Sequence, residues 1–360
     1  MRLLIAGGGT GGHVFPALAL AEALRNEGKN DQVLFVGTNR GLEAKVVPER
    51  GFRLEMIDIR GFVGKSLGER MMFFWLLLKG VVRSLRLLAG FRPDLVLGVG
   101  GYASAPLLIA ARLRGVPYVI HEQNAFPGGV NRIMGRWARR VCLSFADTAE
   151  YFPAGRTVVT GNPVREGIAA CPPLPEGDPR LLVFGGSQGA QAINRMVTEA
   201  LPLLEGLRGR LTIHHQTGSV ELATVRESYR KAGWDAAGVV SFIDDMAEAY
   251  GQAWLVVCRA GATTVAELAA SGRPAVLIPF PHAAKDHQTR NALALEQAAA
   301  ALLLPQADGT AERLAATINE LIGDRKRLLK MSEAMRNQAR PKAAEAILRE
   351  CRAVAAAGKE

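Results

Sequence analysis

Apolar runs of four to six residues alternate along this chain with longer stretches whose apolar positions recur every three or four residues. The first run, Leu3-Leu4-Ile5-Ala6, ends in glycines at 7–9, and Val14, Ala17, Leu18, Ala21 and Leu24 follow at helical spacing. A short run with no polar position is what a strand buried on both faces shows. Strands are predicted on this pattern at 2–6, 32–36, 53–57, 94–98, 117–121 and 140–143, and helices at 13–28, 40–49, 67–89, 102–114 and 129–138. Further strands are expected near 181–185, 211–215, 238–242, 254–257, 275–278 and 301–304. The alternation implies an α/β protein built on doubly wound parallel sheets.

The opening pattern is written twice. Arg2-Leu3-Leu4-Ile5-Ala6 runs into Gly7-Gly8-Gly9-Thr10-Gly11-Gly12-His13, and Arg180-Leu181-Leu182-Val183-Phe184 runs into Gly185-Gly186-Ser187-Gln188-Gly189-Ala190. Strand, glycine turn and helix together aim backbone N–H groups and a helix dipole at an anion. Two such units in one chain suggest two similar nucleotide-fold domains facing one cleft. A third glycine turn, Gly98-Val99-Gly100-Gly101-Tyr102, adds donors at the carboxyl edge of the first sheet. Asn162-Pro163 and the Pro/Gly-rich stretch 171–179 are expected to form the passage between the domains. The final helical stretch, 341–357, is expected to return to the first domain.

The helix predicted at 67–89 has two apolar sides. At 100° per residue Phe74, Leu77, Leu78, Val81, Leu85 and Leu88 share one side, the expected core face. Met72, Trp75 and Leu76 lie opposite, in line with Lys79, Arg83 and Arg86. An aromatic and aliphatic tip running into a basic stripe suits a helix lying in an anionic membrane surface. Burial of both sides at one end, with a solvated basic face at the other, is the alternative.

Composition narrows the class. Hydrophobic residues make up 49% and charged residues 22%, as in globular proteins with substantial cores. Residues 1–162 carry 21 Lys and Arg against 12 Asp and Glu, whereas 163–360 carry 23 against 22, so the basic excess belongs to the first half. That half is therefore the one to meet phosphorylated or lipidic anions. Cys142, Cys171, Cys258 and Cys351 have neither CxxC nor Cys/His spacing and read as reduced thiols. The glycines that break the first apolar run are unlike a signal peptide, and the most apolar window, 71–78, is too short to span a bilayer.

Candidate chemistry collects at the strand ends. Thr263 or Thr264 is expected to cap a helix whose N–H groups suit a diphosphate. Glu267, one turn on, either stabilises that helix through its dipole or holds ribose hydroxyls. Pro279-Phe280-Pro281-His282 and Asp286-His287-Gln288 place amides and imidazoles where a sugar could be bound, or Asp286 simply caps a helix. His13, at a helix start beside the glycine turns, is either a base for a hydroxyl proton or a phosphate ligand and cap. His121-Glu122-Gln123-Asn124 either touches a ligand or braces its loop. HExxH and GxxxxGK[ST] are absent, and Gly7, Gly9 and Gly12 fit GxGxxG without an acid closing the second strand at 35–38, which argues against a dinucleotide.

With these residues in place the chain resembles, over essentially its whole length, the MurG family of N-acetylglucosaminyltransferases, which make lipid II for bacterial peptidoglycan. The motifs are Gly8-Gly9-Thr10-Gly11-Gly12-His13, Gly100-Gly101-Tyr102, His121-Glu122-Gln123-Asn124, Gly161-Asn162-Pro163-Val164-Arg165, Gly185-Gly186-Ser187-Gln188-Gly189-Ala190, Phe242-Ile243-Asp244-Asp245-Met246, Arg259-Ala260-Gly261-Ala262 through Glu267, and His287-Gln288. Cys258, where Ser is expected, and Ala105, where Gly is frequent, depart from the pattern. The resemblance implies a GT-B fold of two Rossmann-like domains. Residues 1–162 with the helix at 341–360 would take the acceptor, lipid I (undecaprenyl-pyrophosphoryl-MurNAc-pentapeptide), and meet the membrane. Residues 163–340 would take UDP-GlcNAc.

The same resemblance implies roles. The Ile243 backbone would read the uracil and Glu267 the ribose, while Ser187 and Gln188 with Ala262, Thr263 and Thr264 would hold the diphosphate. Gln288 would read the GlcNAc hydroxyls, and Arg165, Asn124, Thr10, Gly11 and Gly12 would close on the donor. The acceptor diphosphate would lie against the glycine loops at 8–12 and 100–104, and Gly100, Gly101, Tyr102, Ser104, His121 and Glu122 would bind the acceptor, with His13 as base. Met72, Trp75, Leu76, Lys79, Arg83 and Arg86 would dock on the cytoplasmic side of the bacterial membrane. The reaction expected is inverting transfer without metal or cofactor, with cell-wall synthesis proteins as further partners. A UDP-GlcNAc 2-epimerase or a glycolipid synthase is the alternative enzyme, and a non-catalytic nucleic-acid or membrane binder leaves the duplicated phosphate loops unused.

Overall fold

The protein was analysed as a computed structural model that describes residues 1–28, 30–39, 41–59 and 67–358. The chain divides into two units, Met1–Val164 with Pro341–Glu360, and Arg165–Arg340.

In the first unit the described strands are β1 (Arg2–Gly7), β2 (Gln32–Gly37), β3 (Arg53–Met56), β4 (Leu95–Gly100), β5 (Tyr118–Glu122), β6 (Arg140–Leu143) and β7 (Thr157–Val159). All pair in parallel, in the order β3-β2-β1-β4-β5-β6-β7. The second unit repeats the first six places of that order with β8 (Arg180–Phe184), β9 (Thr212–Gln216), β10 (Val239–Val240), β11 (Leu255–Cys258), β12 (Ala275–Leu277) and β13 (Ala301–Leu303), as β10-β9-β8-β11-β12-β13. In each unit the strand order reverses beside the strand that opens it. The carboxyl end at that reversal is where ligands bind in doubly wound sheets.

Alternate residues of one strand feed opposite cores. Leu3 and Ile5 join the helix Gly11–Asn26 and the last helix, Ala343–Ala357. Leu4 and Ala6 pack on the other face, towards the helices Leu67–Phe91 and Ala105–Arg114. The last helix does return to the first unit. It buries Ile347, Leu348 and Cys351 against Leu20 and Leu24, and Arg352 pairs with Glu27 at the rim.

Most predicted elements stand within a few residues of their predicted ends, and the departures have local causes. Position 40, the expected start of a helix, lies outside the described residues, and that helix runs Glu43–Glu49. The helix expected over 129–138 stops at Met134, and Gly135 follows at its end with the Phe152 ring packed on it. Strand β7 has three residues, too few for a period to register. The stretch 171–179 is not a passage between units. It is strapped to the second unit: Arg273 and Arg336 donate to the Pro172 carbonyl at 2.8 Å each, and Arg325 to Pro175 O at 3.0 Å. Proline-rich backbone cannot join a ladder, so the guanidinium groups of the buried Arg273 and the partly exposed Arg325 and Arg336 take its carbonyls instead. Burial lowers the Arg273 pKa to about 10.

The helix Leu67–Phe91 corrects the wheel reading. Leu76 is buried (5% exposed), whereas Phe74 (60%) and Leu78 (64%) are exposed. The contact line is Leu76, Gly80, Ser84 and Leu88, one residue per turn. A Cβ on Gly80 would come within 3.1 Å of Ile57 and Pro106, and the Ser84 hydroxyl turns back to Gly80 O at 2.8 Å. Val81 and Leu88 of the expected core face are buried and Leu77 and Leu85 pack against the same core, while Leu76 and the small Gly80 and Ser84 extend the contact along the adjacent line. Met71, Met72, Phe74, Trp75, Leu78 and Val82 remain exposed, and Lys79 and Arg83 continue the same outer face.

The returning helix gives the first unit part of its core. Ile347→Ala is expected to cost about 2–5 kcal/mol of stability by opening a cavity between the two helices. Thermal unfolding by circular dichroism measures this, and an unchanged midpoint would contradict the packing.

Candidate active site

In the first unit the polar residues lie at the carboxyl ends of β1, β4 and β5. Gly9, Gly100 and Gly101 have φ of +94°, +96° and +75°, a region where a side chain is strained. Beneath the first turn lies Glu43, which the sequence reading passed over. Its carboxylate is buried and accepts Gly9 N–H, Thr38 N–H and the Thr38 hydroxyl, each at 2.8 Å. A Cβ on Gly8, Gly37 or Gly41 would stand within 2.5 Å of that side chain. These glycines are required by a carboxylate of the protein itself, and the Gly9 N–H is engaged. The one sequence signal was an acid at the start of the second helix, facing a glycine-closed strand.

Thr10 is the extended residue before the helix Gly11–Asn26, and its side chain makes no capping bond. Gly11, Gly12 and His13 form the partly exposed first turn. His13 Nδ1 stands 3.1 Å from Gln123 Oε1. Gln123 is buried, and its Nε2 faces Val99 O at 2.9 Å, His121 Nδ1 at 3.1 Å and His121 O at 3.2 Å. His121 Nε2 lies 3.2 Å from Gly161 O. Burial lowers the His121 pKa to about 4, against the pull of that carbonyl, so the ring is neutral near pH 7.

Three residues expected to line an acceptor are turned inward. Glu122 accepts Asn124 N–H (3.0 Å), Asn124 Nδ2 (3.3 Å), Gly128 N–H (3.0 Å) and Asn131 Nδ2 (2.9 Å). The buried Ser104 hydroxyl donates to Gly101 O at 2.8 Å. With the buried His121, these side chains brace the loops, leaving Gly101, Tyr102, Asn124 and His13 as the partly accessible members beside the buried Gly100.

In the second unit Ser187 and Gln188 sit exposed on the turn after β8. A Cβ on Gly189 would lie 2.0 Å from Thr217 O, so this turn presses directly on the next loop. The helix Ala262–Ser271 follows β11, with Gly261 before it and no side-chain cap. Thr263 and Thr264 therefore lie inside the first turn rather than at the cap. Glu267 is buried (2%), and it accepts Arg165 Nε at 2.7 Å, Arg165 Nη2 at 2.8 Å and the Tyr250 hydroxyl at 3.3 Å. Burial opposes the Arg165 charge, but Glu267 outweighs it and holds the guanidinium above its ordinary pKa. Burial, then Glu267, pushes the Tyr250 phenol up, so it stays a donor.

The remaining members follow other strands of the same sheet. Ile243 is buried after β10, and Asp245 caps the next helix by accepting Glu248 N–H at 2.8 Å. Gln288 Oε1 accepts Phe280 N–H at 2.9 Å and so fixes the loop after β12. Asp286 makes no capping bond to the backbone, and its carboxylate accepts the Thr289 hydroxyl at 2.6 Å. Arg259 holds Ile278 O, Pro279 O and Gln306 Oε1 from beneath the same loop. Tyr250 and Arg259 act here through tertiary contacts that no local spacing announces.

Comparison with known proteins places this geometry. Residues 3–143 match the glycosyltransferase family 28 N-terminal domain and residues 180–347 the family 28 C-terminal domain. The chain is 56% identical to a UDP-N-acetylglucosamine--N-acetylmuramyl-(pentapeptide) pyrophosphoryl-undecaprenol N-acetylglucosamine transferase of Syntrophotalea carbinolica, over 98% of this chain and 99% of that one. The crystal structure of Acinetobacter baumannii MurG superposes with a TM-score of 0.76 at 35% identity, over 98% and 99% of the two chains. A UDP-GlcNAc 2-epimerase from Neisseria meningitidis, bound to UDP-GlcNAc, shares the fold alone, with a TM-score of 0.68 at 12% identity over 97% and 99%. With both sheets, both glycine turns and the sequence in agreement, this chain belongs to glycosyltransferase family 28, among the N-acetylglucosaminyltransferases of the MurG family.

Proposed function

We propose that this chain moves N-acetylglucosamine from UDP-GlcNAc to the C4 hydroxyl of the MurNAc residue of lipid I, forming a β-1,4 bond with inversion and giving lipid II. The observation that carries this reading is the near full-length identity with the Syntrophotalea carbinolica transferase of that name. The donor belongs to the unit 165–340. A carboxylate has about four lone-pair sites, so Glu267 can accept a ribose hydroxyl while holding Arg165 and Tyr250. Arg165 and the first turn of Ala262–Ser271 offer positive charge and N–H groups to the departing diphosphate. Ser187 and Gln188 add donors, the Ile243 backbone meets the uracil and Gln288 the sugar.

The acceptor belongs to the first unit, with its diphosphate against the turns at 8–12 and 100–104. His13 takes the proton of the attacking hydroxyl as that oxygen bonds to the sugar C1 and the bond from C1 to the UDP oxygen breaks. The exposed face with Met72, Phe74, Trp75, Lys79 and Arg83 rests on an anionic membrane, on the cytoplasmic side where the nucleotide sugar is drawn.

Transfer of radiolabelled GlcNAc to a short-chain lipid I analogue tests the chemistry. His13→Ala is expected to lower kcat about 10²–10⁴-fold with UDP still bound. A loss of only a few-fold removes His13 as base, and absence of product from an enzyme that binds UDP-GlcNAc favours an epimerase or glycolipid synthase. Glu267→Ala is expected to weaken UDP-GlcNAc binding about tenfold or more by stranding Arg165 and Tyr250; an unchanged Kd by calorimetry removes its ribose role. Phe74→Glu with Trp75→Glu is expected to abolish co-sedimentation with anionic vesicles while transfer to a soluble acceptor persists. Equal pelleting of variant and parent would place membrane contact elsewhere.

A further inference from the structure

We infer that Gln123 is a positioning residue for His13, holding its imidazole in the Nδ1–H tautomer so that Nε2 is the ring's acceptor. The inference rests on His13 serving as the base. Two groups that can only accept hydrogen bonds set the direction of the whole chain of contacts. Val99 O lies 2.9 Å from Gln123 Nε2, so the amide nitrogen points there and the amide oxygen is the atom left facing His13 Nδ1 at 3.1 Å. An amide oxygen cannot donate, so Nδ1 carries the proton. The reversed amide would set its oxygen against Val99 O and His121 O together, with no donor in either contact.

The second terminus agrees. Gly161 O, 3.2 Å from His121 Nε2, requires a proton on that nitrogen, which leaves His121 Nδ1 bare to accept Gln123 Nε2 at 3.1 Å. His121 and Gln123 are both buried, so water cannot replace either partner. The burial that keeps His121 neutral near pH 7 preserves its acceptor nitrogen. The His13 ring is also confined by backbone. A Cβ on Gly100 would lie 3.1 Å from its Cε1 and 3.2 Å from its Nδ1, and one on Gly101 would lie 3.4 Å from its Cδ2. The glycine turn after β4 thus packs on the ring while the amide settles which nitrogen is bare. A base whose proton sits on the wrong nitrogen presents no lone pair to its substrate.

Two-bond proton–nitrogen correlation spectra of the full chain with ¹⁵N-histidine, assigned through His13→Ala, read the tautomer directly. The parent is expected to carry the His13 proton on Nδ1; a proton on Nε2 overturns the inference, and this needs no variant to fold. Gln123→Met is expected to move His13 to mixed tautomers and to lower kcat about 10–100-fold, as loss of a histidine's orienting partner does, with the donor KM within about twofold. An unchanged tautomer, or an unchanged kcat beside a shifted one, overturns it. The base reading fails separately, through a His13→Ala enzyme that retains its kcat; Gln123 then has no part in the reaction even where it orders the ring.

Discussion

A carboxylate taken out of water is costly unless donors converge on it, and among the described residues Glu43, Glu122 and Glu267 are buried at the carboxyl edges of the sheets. Glu43 draws Gly9 and Thr38 together, Glu122 ties Asn124, Gly128 and Asn131, and Glu267 holds Arg165 and Tyr250. Most donors to the first two are loop backbone or loop side chains. Satisfying the charge therefore also fixes the loops that present the partly accessible residues. The glycines at 8, 37 and 41 are the counterpart of this arrangement, since a methyl group at any of them would collide with Glu43.

The same economy of partners separates the bracing residues from the chemical ones. Side chains with every polar atom engaged inside the fold, such as Glu122 and Ser104, give shape to the turn. His13 is different: one nitrogen is engaged by Gln123 and the ring is partly accessible. In the second unit Glu267 is buried, but its partner Arg165 is partly accessible, so the pair joins the interior to the surface. The helix Leu67–Phe91 applies the reverse logic. Its inner face combines Leu76, Val81 and Leu88 with the small Gly80 and Ser84, and Met72, Phe74, Trp75 and Leu78 are turned outward beside lysine and arginine.

Much of this was legible in the chain. Strands buried on both faces appear as unbroken apolar runs, and the repeated Arg-Leu-Leu motif before each glycine turn announced two units of one topology. The family motifs located the residues at each sheet edge. Readings that failed were those in which local chemistry has two outcomes. Proline-rich backbone at 171–179 looks like a linker until Arg273, Arg325 and Arg336 are seen taking its carbonyls. Threonine near a helix start looks like a cap until Gly261 proves to hold that place. A wheel that counts large side chains misses a contact made through Gly80 and Ser84.

By itself the sequence determined the alternation of strand and helix, the duplication, the family and the set of polar residues at the strand ends, because these follow from period, turn chemistry and order along the chain. Only the tertiary structure decided which of those residues brace and which face outward. It paired Glu43 with Gly9, Glu267 with Arg165, and Gln123 with two histidines that stand 110 and 2 residues away. The distant pairings arise where the fold brings together strand ends and loops that lie far apart in the chain. Burial, which gives a hydrogen bond its direction and a carboxylate its need for donors, exists only after the sheet has formed.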